Sequence, residues 1–283
     1  MKKAAFVAIV GRPSTGKSTL VNQICGKKVA IVSAVPQTTR NAIRGIVTRE
    51  PGQLVFIDTP GRHLSEKKAN SKLMDISDQA VGDSDIVLYV LDSARPPGPE
   101  EAGIAAFLGP HAGKTVAAIN KIDSPYADRD RSLDFLAQSL PELDESRCFF
   151  ISAKNNEGID PLLAALFGLA PEGEPFYDGD CYTDQEVDFR IAEIIREQAI
   201  NRLRKELPHS LRVEIADAQL TAGSPDCQKL WVRAFILVER ESQKGIVVGR
   251  GGAMIKAIRL ASLKELDRIF DWKIDLDLRV KSG

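Results

Sequence analysis

Along the first 170 residues, short apolar runs alternate with longer stretches of mixed, helix-like pattern. The runs are Ala5–Val10, Leu54–Ile57, Ile86–Leu91, Thr115–Ile119 and Cys148–Ile151. Each is nearly continuous rather than alternating, which is the pattern of strands buried on both faces of a mostly parallel sheet. Strands separated by helical stretches predict βαβ units and an open α/β domain. In such sheets ligands bind beyond the carboxyl ends of the strands, so functional motifs belong in the loops that follow the runs. The apolar stretch Ala4–Val10, which contains the first run, follows Met1-Lys2-Lys3 and passes straight into Gly11-Arg12-Pro13. That reads as a buried strand, not as a secretion signal with a small-residue cleavage site. The apolar run Leu162–Ala170 falls far short of the ~18 residues that span a bilayer.

Beyond residue 170 the pattern changes. Gly168–Asp180 contains Pro171, Gly173, Pro175 and Gly179, and residues 171–185 are predicted to be a linker. Thr183-Asp184-Gln185-Glu186 has the form of a capping box. The helix it would open carries Val187, Ile191, Ile194, Ile195, Ala199 and Leu203 at helical spacing, with Pro208 beyond it. Two β-like runs follow, Leu211–Ile215 and Leu230–Val238, then a Gly-rich turn at Gly249–Gly252 and a helix to about Phe270. A last strand alternates cleanly, with Ile274, Leu276, Leu278 and Val280 on one face and Asp275, Asp277, Arg279 and Lys281 on the other. The expected organisation is an α/β domain over residues 1–170 and an α+β domain over 186–283.

Charge supports that division. The 283 residues carry a net charge of −1, which taken alone argues against a nucleic-acid partner. The total conceals a split: residues 1–189 hold 20 basic and 26 acidic side chains, and residues 190–283 hold 18 and 13. Two domains with different partners are the expected reading. The four cysteines, Cys25, Cys148, Cys181 and Cys227, are scattered without a CxxC pair, so neither a zinc site nor a disulfide scaffold is expected.

Directly after the first run, Gly11-Arg12-Pro13-Ser14-Thr15-Gly16-Lys17-Ser18 fits G-x-x-x-x-G-K-[ST]. Glycines let such a loop wrap its N–H groups around phosphate oxygens, and the following helix adds its positive end. Phosphate contacts are expected from Gly11, Ser14, Thr15, Gly16, Lys17, Ser18 and Thr19, with Lys17 on the β- and γ-phosphates and the Ser18 hydroxyl on Mg²⁺. After the fourth run stands Asn120-Lys121-Ile122-Asp123, and after the fifth Ser152-Ala153-Lys154. A carboxylate at Asp123 can accept from both N1–H and the exocyclic amino group of guanine, and adenine fails at both positions. The Ala153 N–H is expected on guanine O6.

Asp58-Thr59-Pro60-Gly61 follows the second run and fits D-x-x-G. Asp58 is expected to hold Mg²⁺ through water, and the Gly61 N–H to sense the γ-phosphate. From Pro36-Gln37-Thr38-Thr39-Arg40, Thr39 is chosen as a further metal ligand, with Thr38 close behind. Hydrolysis would remove the phosphate that orders both loops, giving a nucleotide-controlled switch. In the last third, Gly249-Arg250-Gly251-Gly252 fits the GxxG loop of a KH domain, which clamps about four nucleotides of single-stranded nucleic acid. The order α-β-β-α-β suggests the type II arrangement. Arg250 is expected on a phosphate, with Lys244 and Lys256 extending the basic surface, and Trp231, Phe235, Phe270 and Trp272 are assigned to packing in preference to base stacking.

The set PQTTR, DTPG, NKID and SAK, joined to a C-terminal Gly-rich module, closely resembles the Era family of bacterial ribosome-associated GTPases. The likeness extends over nearly the whole chain and includes Pro208-His209-Ser210 and Val238–Gly245. It implies a P-loop GTPase domain followed by a type II KH domain, with GTP or GDP and Mg²⁺ bound by the first. It also implies binding to the 3′ end of 16S ribosomal RNA, assistance in 30S subunit maturation, and a cytoplasmic protein able to associate peripherally with the inner face of the membrane. DNA is not an expected partner. Two positions depart from the family. Ser14 stands where the family usually has an Asn that helps bind a monovalent cation, which counts against K⁺ stimulation. Arg62 stands where Ras-like enzymes have Gln, and a guanidinium is no base at neutral pH. His63 is a weak alternative, so no residue is assigned to position the attacking water and slow turnover is expected. A small-molecule kinase or an RNA-binding protein with a vestigial nucleotide site fits these motifs less well.

Overall fold

The computed structural model describes residues 2–33, 42–59, 77–203, 211–221 and 229–282. The chain divides into two compact units, the first running to Asp184, the second from Gln185 onward together with the described residues 31–33.

The first unit is built on a six-stranded sheet of order β2-β3-β1-β4-β5-β6. Its strands are β1 (Lys3–Val10), β2 (Ile43–Arg49), β3 (Gly52–Asp58), β4 (Ile86–Asp92), β5 (Thr115–Asn120) and β6 (Cys148–Phe150). β1 is parallel to β3 and β4, and β5 to β4 and β6; only β2 is antiparallel, against β3. The five predicted runs are thus the five parallel strands. Two apolar clusters cover the faces of the sheet, one around Leu20, Leu54, Phe56 and Leu162, the other around Val81, Tyr89, Ile104 and Leu136. The helices are α1 (Lys17–Cys25), α2 (Pro99–Leu108), α3 (Arg129–Ser139) and α4 (Ile159–Leu169). Burial pushes the Cys25 thiol up to about 12 and is the first cause pushing Cys148 up to about 11, so neither is a thiolate at neutral pH.

Sequence pattern misses β2 because an edge strand with Arg44 and Gly45 inside it breaks the apolar run. The predicted linker is also corrected. Residues 171–184 belong to the first unit and are strapped along it: Ala4 donates to the Pro171 carbonyl, Gly173 to that of Lys2, and Phe176 and Tyr177 both to Gln53 Oε1. The Thr183 hydroxyl donates to the Arg44 carbonyl at 2.8 Å, and Arg44 pairs with Asp184 at 2.7 Å. Thr183 is therefore not the helix cap that its spacing predicts.

In the second unit, α5 (Val187–Arg202) starts behind Glu186 and buries Ile191, Ile194, Ile195 and Ala199. A three-stranded sheet of order β7-β8-β9 follows, with β7 (Arg212–Thr221) antiparallel and β9 (Lys273–Ser282) parallel to the central β8 (Lys229–Val238). Two helices lie between β8 and β9, α6 (Glu241–Val248) and α7 (Ala253–Ile269), with the Gly-rich turn between them. The order is α-β-β-α-α-β, one helix more than the sequence predicts, because α6 is only 8 residues long and contains Gly245. Alternation along β8 and β9 buries Val232, Ala234, Ile236 and Leu276 against the helices. Val32 donates to the buried Glu197 carboxylate of α5 at 2.8 Å, which places the described residues 31–33 in this unit.

Candidate nucleotide site and glycine-rich clamp

The phosphate-loop motif lies between β1 and α1, at the carboxyl end of the central strand. A side chain at Gly11 would meet the Val90 carbonyl oxygen at 2.5 Å, and one at Gly16, whose φ is +100°, would collide with the Asn120 amide. Both glycines are therefore demanded by close approach. Ser14 is held at φ +65°, a left-handed conformation strained for a residue with a Cβ. Arg12 turns its guanidinium away to a 2.6 Å ion pair with buried Glu101 of α2, anchoring the loop. Lys17 is buried and donates to the carbonyls of Gly11 and Arg12, each at 2.9 Å. Burial pulls its ammonium down to about 8, opposed by the nearby Asp58 charge. Phosphate oxygens would replace those carbonyls with a full negative charge.

The Ser18 hydroxyl donates to Asp58 Oδ2 at 2.7 Å, and Asp58 is fully buried at the end of β3. One hydroxyl and one carboxylate converging beside a phosphate loop form a hard oxygen donor set suited to Mg²⁺, which normally completes its shell with phosphates and water. No group of three or more His, Cys, Asp or Glu suited to a metal occurs among the described residues. Thr38, Thr39, Gly61, Arg62 and His63 lie outside the described residues.

The base motifs converge on the same loop. Asn120 is buried; its Nδ2 donates to the Thr15 carbonyl at 2.8 Å while its Oδ1 accepts the Ala153 N–H at 3.0 Å. Asn120 is thus a clamp tying the phosphate loop to the SAK turn through the Ala153 N–H, the group that spacing assigns to guanine O6. Lys121 donates from Nζ to the Ser14 carbonyl at 2.7 Å. Asp123 is exposed, and one of its oxygens accepts from the Ser152 hydroxyl at 2.7 Å, while Asn155 N–H donates to that same hydroxyl at 3.1 Å. One carboxylate oxygen is therefore fixed and the other is left facing outward. Lys154 is exposed and brings nothing further to this network.

In the second unit, α6 ends on Gly249, and Gly249, Gly251 and Gly252 all take positive φ, at 71°, 59° and 79°. The turn presents exposed Arg250 and leads into α7, on which Lys256 is also exposed. Lys244 on α6 pairs with Glu241 at 2.9 Å. The aromatic assignments divide. Phe270 is buried and stacks on Trp272 at 5.7 Å, as predicted. Trp231 and Phe235 instead lie half-exposed on the outer face of β8, beneath Arg233 at 4.9 Å and Lys281 at 5.9 Å. Strand alternation decides this: the inner face of β8 is filled by Leu230, Val232, Ala234 and Ile236.

Comparison with known proteins agrees with both halves. Residues 6–121 match the family described as 50S ribosome-binding GTPase, and residues 206–282 match the KH domain. The chain is 50% identical to GTPase Era of Treponema denticola over 278 residues, covering 98% of this chain and 94% of that one. It is 43% identical to GTPase Era of Borreliella burgdorferi, covering 99% and 94%. A crystal structure of Era in complex with MgGDPNP and nucleotides 1506–1542 of 16S ribosomal RNA superposes with a TM-score of 0.92 at 32% identity, covering 100% of this chain and 94% of that one. A single-residue variant of Aquifex aeolicus Era bound to GDP and AlF4⁻ gives 0.91 at 32% identity, with 99% and 94% covered.

Proposed function

The chain belongs to the Era family of GTPases, and from that premise we propose that it is a GTP-hydrolysing switch that grips the 3′ end of 16S ribosomal RNA and assists maturation of the 30S subunit. The observation that carries the nucleotide half is the lacing of three loops onto one point: Asn120 joins Thr15 to Ala153, and Lys121 joins the base motif to Ser14. A phosphate loop and a purine-reading loop tied backbone to side chain form one preorganised pocket. The RNA half is supported by three positive-φ glycines that open a helix N-terminus beside Arg250 and Lys256, a turn whose bare backbone admits a sugar-phosphate chain.

In this reading Gly11, Ser14, Thr15, Gly16, Lys17, Ser18 and Thr19 surround the phosphates, with Lys17 leaving its two carbonyl partners for the β- and γ-phosphates. Ser18 and Asp58 hold Mg²⁺, joined by Thr39, and Gly61 senses the γ-phosphate. Bound Mg²⁺ would supply charge neutralisation while the γ-phosphoryl group passes to water and GDP leaves. Asn120, Lys121, Asp123, Ser152, Ala153 and Lys154 form the guanine pocket. Lys244, Gly249, Arg250, Gly251, Gly252 and Lys256 form the RNA clamp. The protein works in the cytoplasm with the ribosomal subunit and associates peripherally with the inner membrane face. No helix among the described residues is long and apolar enough to cross a membrane.

Binding and hydrolysis of GTP, with ATP as competitor and with or without an oligonucleotide of the 16S 3′ end, test the whole reading. Tight GTP binding, slow hydrolysis and RNA binding support it. Absence of both binding activities would refute it. A second expectation concerns Ser14. Its hydroxyl is too short to replace an Asn side chain beside the phosphates, so GTP hydrolysis runs at the same rate in KCl and in NaCl. A rate that rises in KCl alone would show that a monovalent cation binds without the Asn.

A further inference from the structure

Asp92 closes β4 with its carboxylate inside the protein, the side chain only 1% exposed, and none of the nucleotide motifs includes it. Its Oδ2 accepts from Lys121 Nζ at 2.6 Å, and its Oδ1 accepts the Ala94 N–H at 3.0 Å. The same Lys121 ammonium donates to the Ser14 carbonyl at 2.7 Å. The next residue, Ser93, donates from both its N–H and its hydroxyl to the Asn120 carbonyl, at 3.0 and 2.8 Å. Two consecutive residues at the end of β4 thus grip two consecutive residues of the base motif. Sheet register explains how, since Asp92 lies opposite Asn120 across the β4–β5 pair.

Lys121 needs such a hold. Its backbone sits at φ +68°, a conformation that residues with a Cβ adopt only when their surroundings impose it. Its ammonium rides on a flexible four-carbon stem and is strongly hydrated. A buried carboxylate at 2.6 Å gives it a charge-assisted bond that water does not easily displace. The other cation nearby, Arg95 Nε, lies 3.9 Å from Asp92 on a side chain 60% exposed, beyond hydrogen-bond reach.

We propose that Asp92 is a positioning residue for guanine-nucleotide binding: its carboxylate holds the Lys121 ammonium on the Ser14 carbonyl, so that the lysine stem stands as a fixed wall of the base pocket and ties that pocket to the phosphate loop. The proposal rests on the guanine-site reading above. Asp92 touches no nucleotide atom in this arrangement; it acts through Lys121. Without it the lysine swings into solvent and the two loops lose one of their ties, so nucleotide leaves sooner while the hydrolytic groups stay in place.

Asp92→Asn removes the charge and keeps the shape and the acceptor for Ala94. Release of a fluorescent GDP should accelerate about tenfold or more, the effect of one charge-assisted hydrogen bond. KM for GTP should rise in parallel, with kcat at saturation little changed. Asp92→Ser carries the same expectation and serves if the Asn variant does not fold, as judged by circular dichroism. Lys121→Met should also speed release, and adding Asp92→Asn to it should speed release no further. Equal effects of Asp92→Asn with and without the lysine would mark a merely structural carboxylate and overturn the proposal. A silent Asp92→Asn beside an effective Lys121→Met would overturn it alone. A silent Lys121→Met would overturn the site reading and the proposal with it.

Discussion

Asp123→Asn should exchange guanine for xanthine preference, with GTP affinity falling by about 10⁴-fold and XTP affinity rising to near the wild-type value for GTP. The magnitude follows from a site that reads a base through two hydrogen bonds to one carboxylate. An amide in that place presents one acceptor and one donor, so its oxygen keeps N1–H while its nitrogen meets the exocyclic amino group donor to donor and that bond fails. Xanthine carries an oxygen where guanine carries the amino group, and the new amide can donate to it. Geometry around Asp123 strengthens the expectation. The Ser152 hydroxyl accepts the Asn155 N–H at 3.1 Å, which leaves its proton free to donate to residue 123 at 2.7 Å. An amide there is therefore oriented with its oxygen on Ser152 and its nitrogen outward, toward the base. Competition between GTP and XTP for a fluorescent nucleotide measures the exchange. Unchanged GTP affinity would remove Asp123 from the base pocket. RNA binding by the second unit serves as the control for folding.

The nucleotide site was legible in sequence to the degree that its residues are forced. Gly11 and Gly16 face the Val90 carbonyl and the Asn120 amide, which leave no room for a side chain, and β1, β3, β4 and β5 show as apolar runs because both their faces are largely buried. Legibility failed where a residue has two acceptable partners and tertiary geometry chooses. Thr183 could cap a helix or bind the Arg44 carbonyl; the strapping of residues 171–184 along the first unit selects the second. Asp92 is one acidic residue after an apolar run, a common sight in sequence. Only the register of β4 against β5 shows that it lies beside Lys121. Short α6 escaped because eight residues containing a glycine carry too little periodicity to register.

Gly252→Asp should abolish binding of the 16S 3′-end oligonucleotide while leaving basal GTP hydrolysis intact. Structure selects this position over Gly249. A side chain at Gly249 would meet Met254 Cβ at 2.6 Å and its backbone nitrogen at 2.9 Å, so a substitution there disturbs α7 as well as the clamp. At Gly252 no atom lies within 4 Å of an added Cβ, and the cost is the left-handed backbone at φ +79°, about 1–2 kcal/mol for most residues and less for Asp. Gly252 is also the residue before the first turn of α7. A carboxylate there competes for the helix-end N–H groups that would otherwise meet an RNA phosphate, and it repels that phosphate directly. Exposed Arg250 and Lys256 then face an internal anion in place of the RNA backbone. The net excess of basic over acidic side chains in residues 190–283, 18 against 13, is too small to sustain binding without the clamp. Fluorescence anisotropy at fixed salt measures the loss, and Gly252→Ala separates backbone strain from charge. Alanine should weaken binding modestly and aspartate should eliminate it. Full RNA affinity in a folded Gly252→Asp protein would move the RNA site elsewhere on the second unit.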